Sequence, residues 1–372
     1  MAILNPTVTR LSPHFLLSDM MGCSSIYNQG LRNVFDKQPR DIRLDNLKAL
    51  CEHALEPILA LAGHFSISYG FISPEVSRAI VTYQDPNKPS HHRADLGAAV
   101  DIMPHRAVGH LDLAPVEFAL RHLQDLPLSR LITYSESPYI CVAVRHEEVV
   151  DGQPRMAWYE NRYTGVKGGK PDYRKYSTPQ ARSNALKRLE ADGMDHPWRG
   201  GGYPSYHGGG RRQLQHIHAS ARTMVIDFLF DEEAMREGYR NTPALNDPRV
   251  AQAFQMAGTA YEDILKVTGL PRMSIVSAYT SHLSPAWIEG RDWRGEDVVF
   301  ELVPPDYAVI DDLRCQIMLW PVYFNYMDVE VDRDRLVVTV RRSDYEKHRQ
   351  ENPAPAPAGK APRVRRVRSA RT

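Results

Sequence analysis

Apolar residues recur at helical spacing in two stretches: Leu44, Leu47, Cys51, Leu55, Ile58 and Leu59, and later Val250, Phe254, Ala257, Tyr261, Ile264 and Leu265. Positions three and four apart share one face of an α-helix, so each stretch predicts a core helix laid against a sheet. Strict alternation takes over at Ile140, Val142 and Val144, and again at Val329, Val331, Val338 and Val340, the period of strands with one buried face. The segment from Val329 to Val340 reads as a hairpin turning at Asp332 to Asp334. The pattern predicts an α+β fold, a small antiparallel sheet backed by helices.

These pieces come twice, in one order. Gly30-Leu31-Arg32-Asn33 recurs as Gly238-Tyr239-Arg240-Asn241, and the helix end Leu55 to Gly63 as Tyr261 to Gly269. Ile67 to Ser73 recurs as Ile275 to Ser281, and Gly97 to Pro104 as Asp297 to Pro304. Ordered self-similarity of this kind is the mark of a duplicated unit. The expected organisation is a first domain over 1–150, a connector over 151–220, a diverged second copy over 221–345, and a tail over 346–372.

Length and composition fit two such domains. A chain of 372 residues suffices for two cores, and a hydrophobic content of 42% excludes wholesale disorder. No stretch approaches the roughly 20 apolar residues of a membrane helix. The start MAILNPTVTRLSPHF lacks the basic region and apolar core of a signal peptide, so a soluble product that begins life in a cytoplasm is expected. Cys23, Cys51, Cys141 and Cys315 show no CxxC spacing, which argues against a zinc knuckle or a disulfide framework.

Candidate chemistry concentrates in SHHRADLGAAVDI, Ser90 to Ile102. His92 and Asp101 are residue types that hold a hydrolytic zinc, and Gly97, Ala99, Val100 and Ile102 would lead Asp101 in on a buried strand. Ser-x-His followed by Gly-x-Ala-x-Asp-Ile resembles the zinc D-Ala-D-Ala carboxypeptidase family, the hedgehog-like peptidoglycan peptidases, in its phage-type members. Leu11 to Met20, Gly30 to Asn33, Leu44 to Leu61, Ile67 to Ile80 and Arg130 to Val144 also look like that family, in the expected order. The resemblance spans about residues 9 to 150 and implies two tandem hedgehog/DD-peptidase-like domains.

The resemblance implies a ligand set of His92, Asp101 and Cys141 on zinc, with Glu136 near the place of the family's general base. It also exposes departures. His92 lies nine residues before Asp101, where the family has seven, and Ile72 stands where the family carries an arginine for the substrate carboxylate or oxyanion. Cys141 replaces the usual last histidine; thiolate binds zinc well, but a lone cysteine in an apolar strand is also an ordinary buried residue. Glu136 reads equally as a solvated loop carboxylate. His218, in His216-x-His218-x-Ser220, is the alternative third ligand if the connector folds back. In the second copy Glu301 matches Asp101, Asp292 matches His92 without gaps, and Asp328 is expected opposite the place of Cys141.

Trp198 to Arg212, rich in Gly, Arg and Tyr, reads as a connector, with an RGG-like contact to single-stranded nucleic acid as the functional alternative. After the Pro/Ala spacer Asn352 to Gly359 come Lys360, Arg363, Arg365, Arg366, Arg368 and Arg371 with no acid. Without those six charges the net falls from +1 to −5, so the basic charge sits at one end and fits phosphates or another anionic surface. Two functions follow as expectations. The first is a non-catalytic phage structural or interaction protein, virion-associated, formed in the host cytoplasm, oligomeric or partnered by other phage structural proteins or nucleic acid. The second is a zinc peptidase acting on peptidoglycan.

Overall fold

The computed structural model describes residues 2–37, 41–80, 89–104, 118–134, 139–151, 157–162, 172–175, 217–282, 290–306 and 325–352, with a few isolated positions between them. Both predicted core helices form. The first begins as α1 (Arg43–Leu50), passes through a π-helical turn (Cys51–Leu55) and continues as α2 (Glu56–Ala62). Pro57 explains the turn: it has no N–H to donate to His53, and the ladder shifts so that Glu56 donates to the carbonyl of Cys51. Its counterpart is a long helix, Pro248–Thr268, capped by the Asp247 side chain on the Arg249 N–H at 3.0 Å and ended by Gly269 at φ 68°. Val250, Phe254, Ala257, Tyr261 and Ile264, at most 1% exposed, form its buried stripe.

The fold is mixed α+β with several small sheets. Near the start, β1 (Ala2–Ile3) pairs with β4 (Asp36–Lys37), and β2 (Arg10–Ser12) forms a hairpin with β3 (Phe15–Leu16). The first large sheet joins β5 (Phe65–Tyr69), β6 (Ala98–Pro104), β7 (Arg130–Tyr134), β8 (Ile140–Val144), β9 (Ala157–Arg162) and β10 (Asp172–Lys175) in the order β10-β9-β7-β8-β6-β5. The second joins β11 (Ser274–Ser277), β12 (Asp297–Val303), β13 (Met327–Asp332) and β14 (Arg335–Arg341) in the order β11-β12-β14-β13. The hairpin turning at Asp332 to Asp334 is therefore present, as β13 and β14.

The stretch expected as a connector is partly sheet. β9 lies parallel to β7 and carries the fully buried Trp158, while β10 closes the edge. At its other end, His218 pairs with Met224 just as Arg10 pairs with Leu16, so the second half starts its own hairpin before residue 221. Trp198 to Arg212 and the basic tail residues Lys360, Arg363, Arg365, Arg366, Arg368 and Arg371 lie outside the described residues.

The two halves repeat one another in detail. The strand order β5-β6-β8-β7 matches β11-β12-β14-β13, every pair antiparallel, and both edge pairs shift register at the same place, Ile67/Tyr69 and Ile275/Ser277. Buried Asn33 donates to the carbonyls of Met21 and Phe71 and accepts from the Ser73 N–H. Buried Asn241 does the same with Leu229, Tyr279 and Ser281, all 208 positions later. One continuous apolar core runs through both halves. Among the described residues no helix is long and apolar enough to cross a membrane.

Candidate metal centre

Strand alternation gives the first sheet two unlike faces. Val100, Ile102, Leu131, Ile140 and Val142 enter the helix-backed core. The other face carries Ala99, Ile132, Cys141 and Ala143 with Tyr134 packed on them. Cross-strand register aligns Ile132, Cys141, Asp101 and Tyr69 in one row on that face, with Arg130, Ala143 and Ala99 in the next. Asp101 and Cys141 are direct partners on antiparallel strands, close enough for side chains to interact.

His92 reaches the same place from the turn before β6. Its carbonyl accepts from the Ile72 N–H at 2.8 Å, and its ring meets Tyr69 edge-on, centroids 4.6 Å apart. Between His92 and Asp101 the chain makes a tight turn with Ala94 at φ 60° and Gly97 at φ 105°. Asn46 of α1 pins that turn, donating to the Ala94 carbonyl at 2.9 Å and accepting from the His146 N–H at 3.0 Å. A Cβ on Gly97 would lie 2.5 Å from the carbonyl oxygen of Val144. Gly97→Ala combines that clash with an unfavourable φ, and is expected to cost about 1–3 kcal/mol. Chemical denaturation checks it; an unchanged midpoint would mean the turn is free to move.

Donor atoms of His92, Asp101 and Cys141 all lie within 4.8 Å of one another. His92 Nδ1 sits 3.2 Å from the Gly70 carbonyl, which only accepts, so Nδ1 carries the proton and Nε2 keeps the lone pair. This is the backbone contact that orients metal-binding histidines. Burial pushes His92 down to about 4, helped by nearby His91 and Arg130, so the ring is neutral. Burial raises Asp101 to about 6 against the lowering pull of Cys141 and Arg130, and burial with the Asp101 charge pushes the Cys141 thiol well up. Asp101 Oδ1 is buried with no hydrogen-bond partner among the described residues. A carboxylate, an imidazole and a thiol this close together could hold a divalent cation such as zinc, whose tetrahedral shell separates ligand atoms by about 3.5 Å.

The other candidates fall elsewhere. Glu136 lies outside the described residues. His218 belongs to the second half's hairpin and is no member of the converging group. Buried Ile72 occupies the expected arginine position. Arg130, which the sequence reading passed over, stands on the site face with its Nε buried and unpartnered among the described residues. Its alternation with Leu131 was the available signal.

The second half corrects two of the expected correspondences. Thr280 donates to the carbonyl of Arg291 at 2.9 Å as Ile72 does to His92, and Trp293 at φ 55° follows as Ala94 does. Arg291, not Asp292, therefore matches His92. Glu301 does match Asp101, each facing the last residue of the bulged edge strand, Ser277 or Tyr69. Opposite Glu301 is Val337, not Asp328, which sits on β13 against Thr339 and pairs with Arg341 at 2.6 Å. Where the first half gathers His92, Asp101 and Cys141, the second has an ion pair: Glu301 is held by Arg291 at 2.6 Å and Arg335 at 3.0 Å. No family model matches the chain, and no curated protein or solved structure matches it.

Proposed function

We propose that the first half is a zinc centre of the hydrolase type on a hedgehog/DD-peptidase-like domain, and that the second half is a diverged copy of that domain without a site. The observation that carries this reading is the convergence of His92, Asp101 and Cys141 on one sheet face, with His92 Nε2 left as a lone pair by its contact to Gly70. Three protein ligands leave one position open for water or substrate, the arrangement of catalytic rather than structural zinc. Zinc in such a shell supplies Lewis acidity and an acidified water.

The chain's own groups would do the rest. Gly70 fixes the imidazole tautomer, the Asn46 clamp holds the turn that carries His92, and the apolar Ile132 and Ala143 beside the ligands lower the local dielectric. Arg130 brings a cation to the same face, so an anionic group on a bound ligand would be favoured there. By the family resemblance the substrate class is a peptidoglycan peptide.

A second reading rests on Ile72 and on the Arg291–Glu301 pair: a non-catalytic, virion-associated scaffold that keeps at most a structural zinc, its basic tail touching nucleic acid or a partner. Metal analysis of the purified protein with a muropeptide cleavage assay separates the two. One zinc per chain, with turnover lost in His92→Ala, is expected. Zinc without cleavage would leave the scaffold reading standing, and absence of both would remove the metal centre.

A further inference from the structure

A central set of contacts between the two halves comes in reciprocal pairs. Asn33 N–H donates to the carbonyl of Met235 at 2.9 Å, and Asn241 N–H to that of Tyr27 at 3.0 Å. Gly30 and Gly238, both left-handed at φ 67° and 80°, face one another so closely that a Cβ on Gly30 would lie 2.8 Å from the Arg240 nitrogen and one on Gly238 3.1 Å from that of Arg32. Ser274 Oγ donates to Asp19 at 2.6 Å, and Ser66 Oγ donates to Asp227. Asp19 accepts from the Leu16 N–H and Asp227 from the Met224 N–H, each at 2.7 Å. In the contacts between halves the partners exchange when 208 is added to one residue and subtracted from the other, and the two contacts of Asp19 and Asp227 within their own halves match when 208 is added to both residues.

Residue i of one unit touching j of the other while j touches i is the signature of an isologous, two-fold contact. At its centre lies a cavity of about 30 Å³, lined by Ser18 and Ile226, Asp19 and Asp227, and His64 and Arg272, again matched pairs. Among the charged groups the symmetry is broken at His64 and Arg272. Arg272 binds Asp19 at 2.8 Å, whereas His64 lies 3.9 Å from Asp227 and 3.4 Å from Arg272 itself.

We infer that this chain is a covalently joined isologous dimer: the face around Asp19, Gly30 and Ser66 is a recognition surface whose partner is a second copy of the same unit. The two halves hold each other through this face, and the chain between them is dispensable for that association. Divergence after fusion accounts for the unlike pairs at the centre, such as His64 and Arg272, and for one half keeping the His92, Asp101 and Cys141 cluster while the other replaced it. A tethered pair needs only one site, and its axis residues are free to become unequal.

The test uses the full chain. A specific protease sequence is inserted between Gly201 and Gly202, or between Asp192 and Gly193 if the first insertion impairs folding, and the folded protein is cut, with complete cleavage verified on a denaturing gel. Both fragments are expected to co-elute at the volume of the uncut protein in gel filtration and to separate only in denaturant. Fragments that elute apart under native conditions would overturn the proposal. Gly30→Leu in the cleaved protein, circular dichroism being unchanged, is expected to release the fragments; continued co-elution would place the association elsewhere.

Discussion

Asp101→Asn is expected to abolish zinc binding and, in the same protein, to raise the stability of the metal-free form. The two effects have one cause. Asp101 is fixed opposite Cys141 by strand register, with one carboxylate oxygen buried and unpartnered among the described residues. Burial lifts it to about 6 from an ordinary 3.8, so ionisation at pH 7 is a cost that the fold carries without metal. That cost is on the order of 1–3 kcal/mol, and an amide of the same shape avoids it. In a chain of this size the gain appears as a few degrees in Tm. Metal binding loses a charged ligand and should fall below detection. Calorimetric melting with and without zinc, alongside metal analysis, reads both. A less stable metal-free variant would mean Asp101 serves packing, and retained zinc would mean the ligand set is misassigned.

The sequence made the core and the repeat legible because both rest on periodicity. Leu47, Leu55 and Ile58 are buried as their spacing predicts, and so are Phe254, Tyr261 and Ile264. The resemblance named His92, Asp101 and Cys141 together, and the strand register sets Asp101 directly opposite Cys141. What alternation cannot carry is the length of a turn. An ungapped comparison set Asp292 against His92, but the second half's turn from Arg291 to Glu301 is one residue longer than that from His92 to Asp101, so Arg291 takes the place. Asp328 was misplaced for a related reason: the hairpin's two strands alternate alike, and only the pairing shows that β14 and not β13 lies beside β12. The two strands within the connector escaped because their residues, such as Tyr159, Glu160 and Asn161, show no apolar period. Contacts across the two-fold axis involve single polar residues from distant segments, which no local pattern announces.

Asp19→Ala is the substitution expected to destabilise the fold most. Arg272 is 7% and Asp19 4% exposed at the side chain, and the guanidinium also donates to the Phe65 carbonyl at 2.9 Å and lies over the Phe15 ring. Removing the carboxylate strands a buried cation between the halves, at a cost of about 3–5 kcal/mol. Asp19→Ala with Arg272→Met removes both charges and should recover most of that loss, because the pair itself is worth far less than either unpaired ion. Denaturant unfolding of the single and double variants measures it; additive losses would show that each side chain acts through packing alone.

The same network makes the folded state acid-sensitive. Arg272 Nη1 and the Tyr261 hydroxyl both lie near His64 Nδ1, at 3.4 and 3.3 Å, with Asp227 on the other ring nitrogen and Asp19 beyond Arg272. Burial, reinforced by Arg272 and opposed by Asp227, holds His64 below its ordinary 6.5. The unfolded chain therefore takes up a proton that the folded one refuses, so stability is undiminished above about 6.5 and falls as pH drops from there toward the folded value. Protonation of Nδ1 would also turn the Arg272 contact from a hydrogen bond into a like-charge repulsion. His64→Gln, which keeps an acceptor but cannot charge, should flatten that part of the stability profile while leaving stability at pH 8 within about 1 kcal/mol of the parent. A profile that keeps its slope would assign the acid sensitivity to other groups.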